Sequence, residues 1–117
     1  MIARKYRLKR WKVGKLLKAP ESKKIGLFIV KALPNKSKYH RWALTLSRKF
    51  AKKAVERVKK RRQIYESIRN IQKERQEKEN LHYDVALIPL KQILSCNYDK
   101  IHQNITDIFN YLDNLNS

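Results

Sequence analysis

An α+β fold is what the sequence predicts: a small mixed β-sheet backed by a long basic helix and a C-terminal amphipathic helix. Three observations lead there. Stretches of strand length, apolar or alternating, lie at residues 23–33, 41–49 and 82–90. Residues 50–79 contain neither Gly nor Pro and are rich in Ala, Glu, Lys, Arg and Gln, the composition of one long helix. Lastly, Ile101, Ile105, Ile108, Leu112 and Leu115 recur at helical spacing, with Asp and Asn on the outer face.

Taken in chain order, residues 8–18 fit either a short helix or a strand around 13–17, and the sequence does not choose. KKIGLFIVKAL (23–33) reads as one largely buried strand. Pro34 and Asn35 open the polar stretch PNKSKYH, suited to a hairpin connection. RWALTLSRK then alternates, Trp42, Leu44 and Leu46 on one side and Ala43, Thr45 and Ser47 on the other. The first side is core; the second is small and polar, with nothing bulky to block a ligand lying across it. HYDVALIPL is a short strand ended by Pro89. The strands on either side of the long helix should be parallel, which makes the sheet mixed. Ser95 or Asn97 fits the N-cap of the last helix. The predicted order is β-β-α-β-α after a basic segment, and 117 residues without a repeat suit one domain over 1–117.

Charge dominates the composition. Residues 1–80 hold 27 Lys and Arg against 6 Asp and Glu, whereas residues 81–117 hold 2 against 4. The formal net charge of +19 destabilises a compact state by self-repulsion unless a polyanion neutralises it, so nucleic acid is the expected partner. A membrane surface fits less well, because the apolar faces are needed for the core. The basic N-terminus MIARKYRLKR lacks a following apolar run, and no apolar stretch is long enough to span a bilayer. A single cysteine, Cys96, excludes an internal disulfide and a Cys-cluster zinc site. These features suggest a cytoplasmic protein.

In the long helix, Phe50, Ala51, Ala54, Val55, Val58, Ile64, Tyr65 and Ile68 cluster within about half the circumference at 100° per residue. Lys52, Lys53, Lys59 and Lys60 lie away from this arc, as a solvated face should. Arg57, Arg61, Arg62 and Arg69 lie within it or at its edge. A solvated face explains the lysines but not guanidiniums beside core positions, where each charge needs a partner. Reaching past the sheet edge, they suit bidentate contacts to phosphates.

ALTLSRKFAKKAVERVKKRRQIYESIR, followed after a spacer by YDVALIPL, resembles the bacterial ribonuclease P protein component. Ser47, Arg48 and Lys49 match that family's strand end, and Ala54-Val55 match its Ala-Val pair. Arg57 and Lys59 match the outer positions of its Arg-Asn-Arg box, Arg61 and Arg62 the basic residues after it, and Glu66 and Arg69 its last elements. YRLKR at 6–10 resembles the family's opening. Two departures stand out. Val58 replaces the box asparagine, and its place in the apolar row suggests packing on the sheet instead of hydrogen bonding. The first segment, RWKVGKLLKAP, lacks the usual aromatics, with Trp11 as the candidate substitute.

The resemblance implies a small α/β sandwich with a mixed four-stranded sheet and a left-handed β-α-β crossover, against the usual hand. It implies a protein subunit of ribonuclease P that binds the catalytic RNA and the single-stranded 5′ leader of precursor tRNA. Lys53, Arg57, Lys59, Lys60, Arg61, Arg62 and Arg69 are then candidates for the catalytic RNA. Thr45, Ser47, Arg48 and Lys49, with Phe28, Tyr39 and Trp11 as stacking aromatics, are candidates for the leader. The cleavage chemistry belongs to Mg2+ held by the RNA, and the protein is expected to carry no catalytic residue and no metal site. It is expected as a monomer bound one-to-one to the RNA. The residues agree: His40, His82 and His102 lack ligand spacing, and the two glycines make no phosphate loop. A structural RNA-binding protein, such as a ribosomal protein, fits charge and size equally well but not the ordered match. A DNA-binding module lacks a visible recognition-helix turn or dimer seam.

Overall fold

The structure, a computed structural model, describes residues 6–18, 22–35, 39–46, 51–74 and 82–115. Its elements are α1 (Arg10–Leu17), β1 (Lys23–Ile25), β2 (Phe28–Asn35), β3 (Arg41–Leu44), α2 (Ala54–Glu74), β4 (His82–Pro89) and α3 (Tyr98–Asn114), with a 3-10 turn at Lys91–Ser95 before α3. One four-stranded sheet runs β1-β2-β4-β3. β1 and β2 are antiparallel, β2 and β4 are antiparallel, and β3 and β4 are parallel, so the sheet is mixed as predicted.

The strand expected over 23–33 is two strands. Gly26 adopts φ +56, a left-handed conformation that costs little only without a Cβ, and turns the chain between β1 and β2. The expected hairpin between 23–33 and 41–49 does not form either. β4 inserts between β2 and β3, pairing Val30 with Leu87 on one side and Trp42 with Val85 on the other. A central β4 explains its almost unbroken burial from Tyr83 to Leu87.

Both faces of the sheet are covered. On one, Phe28, Val30, Trp42, Val85 and Leu87 pack with Ile64 and Ile68 of α2 and Ile101, Ile105, Ile108, Phe109 and Leu112 of α3. On the other, Ala43 and Ala86 lie under α1, whose Leu16 joins Leu8 in a second small core. The small side chains allow the helix to approach closely. The face of Ala43, expected to lie open, is therefore closed at Ala43 by α1. The basic segment resolves as helix rather than strand, held at its end where the Lys31 Nζ donates to Leu17 O at 2.6 Å.

Asn97, one of the two predicted caps, accepts from Lys100 N at 3.1 Å and starts α3. The row Ile101, Ile105, Ile108 and Leu112 is fully buried, whereas Leu115 lies at the helix end with 42 % exposure. Asn104, on the same helix, is buried and turned to the hairpin. Its Oδ1 accepts from Leu27 N at 2.6 Å, and its Nδ2 donates to Lys100 O at 2.7 Å. A polar side chain is stable there because both ends are satisfied.

Candidate nucleic-acid interface

α2 begins at Ala54, four residues later than the sequence predicts; Phe50 and the far end at 75–79 lie outside the described residues. The late start has a local cause. Arg57 Nη1 donates to Ala51 O at 2.6 Å and Lys52 O at 3.1 Å, which ties down the non-helical segment just before the helix. Arg57 thus spends hydrogen-bonding capacity inside the protein, a role the phosphate-contact expectation did not include.

The buried row of α2 is Lys60, Ile64, Ser67, Ile68 and Ile71, joined at one side by Tyr65. At 100° per residue this arc is rotated by about a quarter turn from the one expected, which averaged in the apolar residues of the first turns. Val55 and Val58 face outward, 78 % and 43 % exposed. The expectation that Val58 packs on the sheet is wrong for that reason: the first turns of α2 show only Ala51, before the helix proper, buried in the core. Val58→Asn should accordingly change stability by no more than about 0.5 kcal/mol, within the range of exposed substitutions, as read by a thermal melt.

Lys60 was expected on the solvated face and is instead buried, its Nζ donating to Cys96 O at 2.6 Å. Its aliphatic stem covers the core while the ammonium finds a carbonyl at the end of the 3-10 turn. It is spoken for, and does not belong with the cations open to a ligand. Burial, helped by the neighbouring Lys59 charge, lowers its pKa from the ordinary 10.5. The unfolded chain then holds this proton more tightly, so the contribution of Lys60 to stability grows as pH rises through its folded pKa toward 10.5. Compared in urea, the stability of the protein relative to Lys60→Met should increase over that alkaline window and be flat at neutral pH.

Lys53, Lys59, Arg61, Arg62 and Arg69 are all exposed. Among the described residues, no ion pair holds Arg61, Arg62 or Arg69. A further cation joins them from far away in sequence. Residue Arg7 bridges to Trp42, and Leu8 N donates to Trp42 O at 2.8 Å, so the N-terminal segment runs along the edge of β3. Burial pushes the Tyr65 hydroxyl pKa up, while Arg61, Arg7 and a hydrogen bond at the Leu44 backbone pull it back. The charges of Arg7 and Arg61 therefore both act on one hydroxyl at the end of β3. Arg7 was absent from the sequence candidates; the only signal for it was its place in YRLKR.

The leader candidates separate. Phe28 has no exposed surface and packs in the main core, so it offers no face to a base; the correction follows from its place in the first residue of β2. Tyr39 is half-buried and meets Tyr6 edge-on at 5.0 Å. Thr45 is half-buried just beyond β3, its N–H donating to Leu87 O at 3.0 Å. Trp11 is 69 % exposed in the first turn of α1, with Lys12 Nζ 5.4 Å from its ring centroid. Ser47, Arg48 and Lys49 lie outside the described residues.

The Ribonuclease P family profile matches residues 2–113. The chain belongs to the ribonuclease P protein family. Its fold agrees. The Staphylococcus aureus RNase P protein aligns with a TM-score of 0.73 at 21 % identity over 91 % of this chain and 94 % of that one. A mutant of that protein with defective mRNA degradation activity aligns at 0.75 and 21 % identity, over 93 % and 89 %. The RNase P protein from Thermotoga maritima aligns at 0.71 and 23 % identity over 92 % and 96 %. No curated protein matches the sequence.

As a ribonuclease P protein, the chain is a subunit of that complex, with ribonuclease P RNA as its partner. The match disfavours a ribosomal-type structural role. One arrangement imitates a catalytic pair and has another explanation. Ser67 Oγ lies 2.8 Å from His102 Nδ1, and Asn70 Nδ2 donates to Tyr98 OH at 2.9 Å, yet Ser67 has no exposed surface. The group satisfies polar atoms between α2 and α3, where no substrate reaches. Among the described residues, no three His, Cys, Asp or Glu gather to hold a metal, and no helix is long and apolar enough to cross a membrane.

Proposed function

We propose that this ribonuclease P protein holds the catalytic RNA on the exposed cations of α2 and guides the 5′ leader of precursor tRNA past the end of β3. The RNA supplies the catalytic groups and holds the Mg2+; the protein contributes position and charge. The observation that carries this reading is the row Arg61, Arg62 and Arg69, exposed and without an ion pair among the described residues. Guanidiniums left open in a chain of charge +19 suit phosphate oxygens, which they bind bidentately. Arg7, whose charge acts with that of Arg61 on the Tyr65 hydroxyl, adds a further cation near the end of β3. Trp11, exposed on α1, supplies a ring on which a leader base stacks. One protein per RNA in the cytoplasm is the simplest assembly.

The test compares binding of precursor tRNA with binding of mature tRNA by the RNA–protein complex. The protein should favour the precursor, and Trp11→Ala should reduce that preference by about tenfold, the weight of one stacked base. Equal affinity for the two tRNAs, with the protein present, would contradict a leader contact.

A further inference from the structure

The outward face of α2 carries something that phosphate binding does not explain. Ala54, Val55, Val58, Lys59, Arg62 and Gln63 line a shallow depression of about 450 Å³ whose floor is apolar. Val55 and Val58 point away from the core, with most of Val55 in water. Single exposed valines are ordinary, but two at i,i+3 in a concave surface are not randomly scattered. Lys59 and Arg62, both exposed, stand beside them, and among the described residues that line the depression Glu66 alone opposes that charge.

An occupant must therefore be apolar at its centre and anionic around it. Over residues 52–74, nine Lys and Arg face three Glu, which argues against an ordinary hydrophobic protein segment. An unpaired RNA strand has both properties, a flat base and a charged backbone. Building on the reading of α2 as an RNA-binding helix, we infer that the Val55–Val58 depression takes one unpaired nucleobase of the bound RNA, while Lys59 and Arg62 hold the flanking phosphates. This contact selects unpaired over paired RNA, because a base inside a duplex cannot present its face to a helix. Val58, where the family box has asparagine, makes it a contact by packing rather than by hydrogen bonding.

The experiment uses the protein carrying Trp11→Ala, so that the exposed ring on α1 contributes no stacking, and two single strands of equal length, oligoadenylate and an abasic ribose–phosphate strand, so that the phosphate number is constant. The protein should bind oligoadenylate about tenfold more tightly. The double variant Val55→Gln/Val58→Gln should lose that preference, with abasic binding and its salt dependence unchanged. Gln favours helix, and both positions are exposed, so the variant should melt with the parent. A variant that keeps the preference would leave the depression to a protein partner and overturn the inference. So would a parent protein that does not distinguish the strands or binds neither. The contact of the subunit with precursor tRNA is read separately, from the comparison with mature tRNA, so either idea can fail alone.

Discussion

Gly26→Ala should destabilise the fold by about 3 kcal/mol, combining left-handed strain with the loss of part-buried hydrogen bonds. A Cβ on Gly26 would stand 1.6 Å from Asn104 Oδ1, the atom that accepts from Leu27 N. Asn104 is buried and cannot simply turn to solvent. Displacing it also breaks its bond to Lys100 O, so the β1–β2 turn and α3 lose their tie together. In an Asn104→Ala background the same glycine change should cost only about 1–2 kcal/mol, the strain of the φ +56 conformation alone. Urea denaturation of the two single variants and the double variant measures the coupling. Additive losses would mean that the clash is relieved elsewhere.

Arg61→Ala with Arg62→Ala should weaken binding to ribonuclease P RNA by roughly ten- to a hundredfold and leave the melting temperature in place. The salt dependence should change with it. Neutralising about six phosphates gives a log–log slope of roughly −4 to −5, and removing two contacts should make it shallower by about 1.5. Arg57→Ala is the informative comparison. Its guanidinium bonds Ala51 O and Lys52 O, so its loss should lower stability by about 1 kcal/mol, with a smaller effect on the slope. Equal slopes for the parent and the Arg61/Arg62 variant would place the phosphates elsewhere on the surface.

Much of the fold was legible because its signals are local. The buried row of α3 follows the 3.6-residue period, and β4 declares itself by a continuous apolar run closed by Pro89. What was not legible depends on position in space. Nothing in KKIGLFIVKAL marks Gly26 as a turn until Asn104, 78 residues away, is seen to occupy the room a Cβ would need. The insertion of β4 between β2 and β3 is a matter of topology, which alternation along one strand does not encode.

The site was legible in its residue types more than in its orientation. Arg61, Arg62, Arg69, Lys53 and Lys59 are exposed on α2 as an interface requires. Lys60 and Val58 exchanged places relative to expectation, because a lysine stem can cover a core and a valine can face water. Phe28 was a candidate by residue type alone, and its burial removes it. Arg7 needed the bridge to Trp42 to be brought to the end of β3.

The most direct measurement is cleavage of precursor tRNA by the cognate ribonuclease P RNA at low magnesium, with and without this protein. Cleavage at the mature 5′ end that requires both the RNA and the protein, and that falls with Arg61→Ala/Arg62→Ala, is the result expected. Tight, salt-sensitive RNA binding with no stimulation of cleavage would contradict the account.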